Sequence, residues 1–254
     1  MKIILKPLQF LYVIYAFVVF VALMIPVFIW SLLVIPFGKI KGGNLIYRGC
    51  MVWADIWFGL VFIHHKNIFE QKPKKGSSYI FVSNHISYMD VPVIVKTFRQ
   101  PVRPLGKAQM AKVPVFGFIY KNAIVTVDRS DASHRAQSVR LLKSIINKGI
   151  SVLVFPEGTF NETNKPLKHF YDGAFRVAIE TGTPVKPVIL LDTYDRLHYR
   201  SIFTLTPGKC RAIFLHEVPT SGLTVDDVKS LKERVYSLME EKLLEYNATW
   251  IHRH

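Results

Sequence analysis

The stretch S-N-H-I-S-Y-M-D, residues 83–90, places a histidine five residues before a carboxylate. A histidine can take up a proton near neutral pH, and a carboxylate on its other ring nitrogen would fix the tautomer and stabilise the imidazolium. His85 and Asp90 are therefore a candidate general base and its orienting acid. A plainer interpretation is that Asp90 only caps a helix and that His85 only belongs to a loop.

A spacing of five does not put two side chains on one face of a continuous helix, where three or four would. The pair therefore needs a turn followed by a helix start, and Ser87 can cap a helix whose third residue is Asp90. The sequence has no GxSxG, no HExxH and no cysteine beside His85. If His85 is catalytic, we expect it to activate a hydroxyl of the substrate rather than one of the protein.

Short β-rich runs alternate with helical patterns after a polar boundary at 70–78. The predicted strands are 79–82, 102–106, 123–127, 151–155, 185–191 and 210–215. The predicted helices lie near 91–98, 114–121, 133–147 and 173–181, with a last one from a capping box at Thr224 and Asp227 to about Tyr246. This alternation predicts an α/β fold with a mostly parallel or mixed sheet and flanking helices.

Polar clusters follow three of these strands, at residues 83–90, 106–117 and 155–175. In open α/β sheets, sites form at the carboxyl ends of strands, so we expect the three clusters to converge.

Several residues in or near these clusters are candidates for binding a substrate. Lys107 and Arg129 are cations near strand ends that could bind a phosphate, although a solvated surface cation is the alternative for each. Glu157 is a candidate hydrogen-bond partner of a substrate hydroxyl, with turn formation as its alternative. Gly158 permits a positive φ or a close backbone approach.

The N-terminal run Pro7–Phe37 is apolar except for Gln9 and Ser31. Proline interrupts helical hydrogen bonding, so Pro26 predicts a division of the run into two arms. Basic residues flank both ends, which favours a re-entrant membrane hairpin over a single kinked span or a buried hairpin of a soluble core.

The segments after this run complete the predicted N-terminal region. The glycine pair in 39–44 predicts a turn or hinge. Residues 47–65 predict a helix lying on the membrane or packed in a core. The predicted division is a membrane-associated region 1–70 and an α/β domain 71–254.

The chain has 254 residues and 33 Lys and Arg against 18 Asp and Glu, a net charge of +15. This excess suits anionic lipid, a phosphorylated substrate or nucleic acid. A nucleic-acid binder would not need the apolar run 7–37, so we expect no nucleic-acid partner. The two cysteines, Cys50 and Cys210, lack metal-type spacing, and no metal site is expected.

Taken together, these motifs resemble the glycerolipid acyltransferase family, whose best-known members are the 1-acylglycerol-3-phosphate acyltransferases. The resemblance covers roughly residues 75 to 215. The family's NHxSxxD block is matched by Asn84, His85, Ser87 and Asp90, and its FPEGT block by Phe155 to Thr159. The remaining blocks are matched by Lys107, Pro114 and Gly117, by Val127 to Ser130, by Phe170, Gly173 and Ala174, and by Pro187 and Val188.

Two positions depart from the family pattern. Gln109 stands where the family usually has glutamate, and Phe160 where it often has arginine. In the phosphatidate-forming members that arginine is associated with the phosphate of the acceptor. Phe160 therefore bears directly on which acceptor headgroup the chain uses.

The resemblance implies acyl transfer from acyl-CoA or acyl-carrier protein to the free hydroxyl of a membrane lysoglycerolipid, first of all 1-acylglycerol-3-phosphate. His85 would be the base and Asp90 its orienting acid. Lys107, Arg129, Glu157, Gly158 and Thr159 would bind substrate, and no metal or redox cofactor would be needed. The protein would be monotopic or single-span, with its catalytic domain on the cytoplasmic face. The alternatives are a lysolipid acyltransferase using another headgroup and a non-catalytic lipid-binding protein.

Overall fold

In the residues that the computed structural model describes, 2–127 and 132–252, seven strands form one sheet. The strands are β1 (Ile63–Phe69), β2 (Ile80–Ser83), β3 (Val102–Lys107), β4 (Val125–Val127), β5 (Ser151–Val154), β6 (Val185–Leu190) and β7 (Gly208–Phe214). Their order is β1-β7-β6-β2-β5-β3-β4. Strands β6, β2, β5, β3 and β4 run parallel, and β7 turns the sheet mixed by pairing antiparallel with β6. The predicted fold class is confirmed.

Two layers of helices cover the sheet. The helices are α1 (Lys2–Val34), α2 (Gly38–Leu60), α3 (Asp90–Thr97), α4 (Phe116–Ala123), α5 (Ala132–Ile146), α6 (Gly173–Glu180), α7 (Thr193–Arg196) and α8 (Val228–Glu245). Helices α1 to α4 share a core with one face of the sheet, and α5, α6 and α8 share a second core with the other face. Strands β2 and β5 are buried throughout because both of their faces are covered.

The division predicted at Pro26 is wrong, since α1 continues through it. Met24 and Val27, on either side of the proline, are both buried against the rest of the protein. Packing along its length therefore holds the helix together across the lost hydrogen bond, a local defect that packing can absorb. The chain reverses instead at a 3₁₀ turn, Ile35–Phe37, and at Gly38, whose φ is 84°.

A helical hairpin does exist, but α1 and α2 are its arms. Indole N–H groups on α2 donate to carbonyls on α1, from Trp57 to Ala16 at 3.0 Å and from Trp53 to Phe20 at 3.4 Å. Nearer the turn, Trp30 donates to the Leu45 carbonyl at 3.0 Å. The partners draw together in sequence towards the turn, as antiparallel arms require.

The predicted hinge at residues 39–44 is also wrong, because these residues are helical. The glycine pair serves close packing rather than a turn. A Cβ on Gly42 would lie 2.7 Å from the Val34 carbonyl oxygen, and one on Gly43 would lie 2.8 Å from the guanidinium of Arg103. Only glycine permits this approach between α2, the hairpin turn and strand β3.

Residues 63–69 form the first strand of the sheet and not the end of an interfacial helix. Helix α2 ends at Leu60, and β1 pairs in parallel with β7. The expected boundary at residue 70 is therefore misplaced, since the α/β sheet already begins at Ile63. The apolar pattern of 47–62 hid the change because it runs without a break into the strand.

Candidate active site

His85 and Asp90 form a direct pair at the carboxyl end of β2. The Nδ1 atom of His85 lies 2.8 Å from Oδ2 of Asp90. The Asp90 side chain is fully buried, and 18% of the His85 side chain is exposed. An acceptor carboxylate at Nδ1 leaves Nε2 as the nitrogen with a free lone pair, and no described residue hydrogen-bonds it. This is the arrangement of an oriented general base.

The turn between the two residues explains how a spacing of five brings them together. Oδ2 of Asp90 also accepts the backbone N–H groups of Ile86 and Ser87, at 2.8 and 2.9 Å. The Ser87 hydroxyl accepts the N–H of Met89 at 2.9 Å and donates to the Leu197 carbonyl. The regular helix begins at Asp90 itself, so Ser87 closes the turn ahead of it. The predicted helix cap at Ser87 is wrong, because the N-cap position is Met89 and carries no side-chain cap hydrogen bond. Oδ2 of Asp90 instead serves both the turn and the pair with His85.

Neighbouring strands hold this turn in place. The Asn84 side chain donates to the Leu190 carbonyl at 3.0 Å and accepts the Leu190 N–H at 2.8 Å, which ties the loop to β6. The backbone N–H of Asn161 donates to the His85 carbonyl at 2.7 Å, which ties it to the loop after β5. Sequence reasoning gave Asn84 and Asn161 no role, although an amide side chain next to the histidine at a strand end was a usable signal.

Aromatic rings enclose the His85 imidazole. Phe155 stacks on it at 4.0 Å between ring centroids, with 14° between the planes. Phe160 meets it edge-on at 4.4 Å, and Tyr88 meets Phe160 at 4.9 Å. The residue that departs from the family pattern therefore lies directly against the base, and it adds no positive charge there.

Glu157 holds the backbone of the site and does not face a substrate. Its carboxylate is 2% exposed, and its two oxygens accept the backbone N–H groups of His85 at 2.8 Å and of Lys168 at 2.9 Å. The expected contact with a substrate hydroxyl is thus replaced by a positioning role that resembles the turn-forming alternative. Burial raises the pKa of the Glu157 carboxyl from 4.5 to about 8. The two backbone N–H donors lower this pKa, but their effect is smaller than that of burial.

The raised pKa of Glu157 predicts a pH-dependent stability. The folded state holds the proton more tightly than the unfolded state, so the stability that this confers is present below pH 4.5 and lost as the pH rises to about 8. We expect the urea midpoint of unfolding to fall across that window. Glu157→Gln should flatten the fall, while lowering stability overall because its amide N–H₂ meets a backbone N–H. Glu162→Gln, an exposed change on the same loop, should keep the parent slope; an unchanged slope in Glu157→Gln would contradict the assignment.

Of the other predicted binding residues, Gly158, Thr159 and Lys107 lie at the same edge of the sheet. Gly158 has a φ of 76° and permits the sharp turn after β5. Thr159 is exposed, and its hydroxyl oxygen accepts a hydrogen bond from Nζ of Lys168 at 2.8 Å. Lys107 is exposed at the end of β3, two strands from β2, which puts it roughly 10 Å from the His85 strand end. Arg129 lies outside the described residues.

Comparison with known proteins identifies the family. The family model described as Acyltransferase matches residues 61–191, just over half of the chain. The chain belongs to the acyltransferase family. The matched segment begins near β1 and contains His85, Asp90 and the loop after β5, so the site described above falls within the family's shared region.

Several relatives carry a more specific name. A 1-acyl-sn-glycerol-3-phosphate acyltransferase of Haemophilus influenzae is 27% identical over 198 residues, which covers 74% of this chain and 80% of the relative. An uncharacterized acyltransferase of Schizosaccharomyces pombe is 30% identical, covering 69% of this chain and 64% of the relative. The human 1-acyl-sn-glycerol-3-phosphate acyltransferase alpha is 28% identical, covering 62% and 56%. The chain thus spans less than two thirds of the length of the last two.

A solved structure extends the likeness to the whole fold. The 1-acyl-sn-glycerophosphate acyltransferase PlsC from Thermotoga maritima superposes with a TM-score of 0.75 at 24% identity, covering 99% of this chain and 100% of the other. The N-terminal hairpin is therefore part of the shared architecture. The present chain has both the α/β fold and the His85–Asp90 pair that were predicted from its own sequence.

Proposed function

We propose that this acyltransferase moves a fatty acyl group from acyl-CoA or acyl-carrier protein to the free hydroxyl of a lysoglycerolipid. The acceptor that we favour is 1-acylglycerol-3-phosphate, which would give phosphatidate. The observation that carries the proposal is the His85 imidazole, held by Asp90 at Nδ1 and without a described partner at Nε2. The names of the relatives from Haemophilus influenzae and human support the choice of acceptor.

The pair suits direct transfer without an acyl-enzyme. Nε2 takes the proton of the acceptor hydroxyl, and the oxygen attacks the thioester carbonyl carbon. The tetrahedral intermediate then collapses with loss of the C–S bond, and the imidazolium returns the proton to the thiolate. The nearby Ser87 hydroxyl is buried and already donates to the Leu197 carbonyl, so it is not available as a nucleophile.

Positive charge for the acceptor and for the developing oxyanion comes from the same edge of the sheet. Lys107 is exposed there. A cation at this place would stabilise a phosphate or a tetrahedral oxyanion. We retain Arg129 as a candidate for the acceptor phosphate from its place in the sequence.

A second acceptor class is favoured by Phe160. Its ring lies 4.4 Å from the His85 ring, where a charged side chain would otherwise approach the acceptor. Together with Tyr88 it forms an aromatic surface, which suits a lysophospholipid with a larger headgroup. The test is a purified-enzyme assay of lysophosphatidate against lysophosphatidylethanolamine, lysophosphatidylcholine and lysophosphatidylglycerol. A strict preference for a zwitterionic acceptor would overturn the first choice.

The outer face of α1 supports membrane association. Within the hairpin Pro7–Leu60, an 18-residue window reaches a mean hydropathy of 2.9 with only 22% of it buried. By length and composition, this stretch could cross a membrane. Leu11, Val18, Ile25 and Leu32 repeat every seven residues and are all exposed. An exposed apolar stripe of this length on a helix suits an acyl-chain environment.

The position of the hairpin favours monotopic membrane association over a transmembrane helix. Phe10 stacks on Phe203 at 5.8 Å, and Phe28 meets Phe118 on α4 at 5.5 Å. Helix α1 is thus packed onto the α/β domain near both of its ends, with its exposed stripe turned outward. A helix crossing the bilayer would stand free of that domain. We propose that the hairpin seats the enzyme on the cytoplasmic face, where a soluble donor and a lipid acceptor meet.

Two lysines on the stripe should weaken membrane binding without disturbing the core. A lysine at the centre of a membrane helix costs about 2.5 to 3.5 kcal/mol, so we expect Val18→Lys/Ile25→Lys to lower liposome binding at least about tenfold. Activity on lysolipid in detergent micelles should stay within about twofold of the parent. Leu141→Lys, an exposed change on α5 in the opposite layer, should leave flotation unchanged. If the double variant floats with liposomes as the parent does, membrane binding through this stripe is refuted.

A further inference from the structure

A cleft of about 520 Å³ opens on the side of the sheet opposite to the hairpin. It lies between the loop after β5 and helix α8, and we call it the α8 cleft. Its lining residues are Thr163, Lys165, Leu167, Lys168, His169, Phe170, Lys232, Glu233 and Tyr236. A volume of this size is in the range of small-ligand sites. Of its lining residues, only Lys168 contributes to the geometry at His85, through its backbone N–H.

The α8 cleft is basic. Three lysines and one histidine line it against a single carboxylate, that of Glu233. Lys165 is exposed, and its ammonium makes no hydrogen bond or ion pair with a described residue. Lys232 is held by Asp172 at 2.7 Å, and Lys168 by the Thr159 hydroxyl at 2.8 Å. Three lysines around one cleft, one of them with an unpaired ammonium, suit a ligand with several phosphates.

The walls of the α8 cleft are fixed in the empty protein. Hydrogen bonds from the Tyr236 hydroxyl to the Leu167 carbonyl and from the Trp250 indole to the Pro166 carbonyl, both 3.3 Å, hold the loop against the C-terminal part of the chain. The Asn161 side chain adds a bond to the Lys165 carbonyl at 3.0 Å. A preformed wall lowers the ordering cost of binding.

One residue joins the α8 cleft to the base. Lys168 lines the cleft, and its backbone N–H shares the Glu157 carboxylate with the backbone N–H of His85. The Glu157 carboxylate thus links the cleft, on the α8 side of the sheet, to the loop that carries His85. A ligand there approaches from the face away from the hairpin stripe, whereas a membrane-embedded acceptor approaches from the stripe.

We propose that the α8 cleft binds the phosphates of an acyl-CoA donor. This assignment rests on the proposed function, because it names the site at which that reaction receives its donor. The nucleotide phosphates would lie among Lys165, Lys168 and Lys232, and the flexible pantetheine arm would carry the thioester past Thr159 to His85. Charge, volume and side of approach all distinguish this site from one for the lipid acceptor.

Steady-state kinetics with both substrates varied test the assignment. We expect Lys165→Glu to raise the KM for acyl-CoA about fivefold, and Lys165→Glu/Lys232→Gln to raise it at least about tenfold. The turnover number and the KM for lysolipid should stay within about twofold. The matched control is Lys75→Glu, an exposed lysine before β2 at the opposite edge of the sheet, which should leave all three constants unchanged. Free coenzyme A, measured by calorimetry on the parent and the double variant, should lose affinity in parallel.

Several outcomes would overturn the assignment. An unchanged donor KM in the double variant would do so, and so would a rise confined to the lysolipid KM. A rise seen only with acyl-carrier protein as donor would place a protein surface there instead of a nucleotide. If the parent transfers no acyl group to any lysolipid, the proposed function fails, but the calorimetric comparison of coenzyme A binding still decides whether the α8 cleft is a nucleotide-phosphate site.

Discussion

His85→Ala should lower the turnover number for acyl transfer by about 10²- to 10⁴-fold, the range that a positioned general base contributes. Without Nε2, no group in the described part of the site can take the proton of the acceptor hydroxyl in the same place. The loss should appear in the turnover number, because the imidazole acts on the reacting proton and not on the lipid chain or the donor.

The fold should tolerate this change. The ring is partly exposed, and its removal costs one hydrogen bond and the stacking on Phe155. Oδ2 of Asp90 keeps the two backbone N–H donors of the turn. Circular dichroism and liposome binding should therefore match those of the parent.

The control is His64→Ala, an exposed histidine on edge strand β1. It removes the same ring far from the site, and activity should stay within about twofold. If the turnover number of His85→Ala stays within tenfold of the parent value, the proposed mechanism is wrong. The alternative of a non-catalytic lipid-binding protein would then be favoured. Release of free thiol from acyl-CoA, followed with and without lysolipid, measures the reaction directly.

The α/β part of the fold could be predicted because its signals are local. Strands β2 and β5 are short apolar runs that break at polar clusters, and β6 is apolar apart from Lys186. The capping box at Thr224 and Asp227 is present as expected. The order of elements then implied that the clusters share one sheet edge. The parallel pairing of β2 with β5 and of β5 with β3 confirms that edge.

The N-terminal region could not be predicted to the same degree, because tertiary contacts override its local signals. Pro26 and the pair Gly42 and Gly43 are helix breakers in isolation, yet all three lie inside helices. What decides their conformation is packing between α1, α2 and β3, which no window of sequence contains. Strand β1 was missed for a similar reason, since its pairing partner β7 begins only at Gly208.

Within the site, the chemistry of the His85–Asp90 pair could be predicted, but the structural role of Glu157 could not. The motif identified His85 and Asp90 as an acid–base pair, and the turn between them follows from Ser87. Glu157 was expected either to bind a substrate hydroxyl or to form a turn. Its burial beneath the loop depends on where the chain places the backbone of His85 and Lys168, which residue types alone do not specify.

Asp90→Asn should separate the two functions of the buried carboxylate. An asparagine can keep its amide oxygen at the position of Oδ2 and so retain the N–H groups of Ile86 and Ser87. Its N–H₂ group then occupies the place of Oδ1, which is buried without a partner among the described residues. An unsatisfied buried donor costs about 1 to 3 kcal/mol, so we expect a moderate loss of stability and a folded protein.

The catalytic loss should be larger than the structural one. Asparagine removes the negative charge that stabilises the imidazolium formed when Nε2 takes the proton, and we expect the turnover number to fall about 10²- to 10⁴-fold. Asp90→Ala should be worse for folding, because it also leaves the two turn N–H groups without their acceptor. Urea unfolding of both variants, alongside their kinetics, measures the two effects separately.

The decisive comparison is the double variant His85→Ala/Asp90→Asn. If Asp90 acts through His85, its charge is useless once the imidazole is gone, and the double variant should turn over no more slowly than His85→Ala alone. If Asp90 contributes only by shaping the turn, its effect should remain in the absence of the ring and multiply with that of His85→Ala. A strongly non-additive cycle in the turnover number is the result that the hydrogen bond between His85 Nδ1 and Oδ2 of Asp90 predicts.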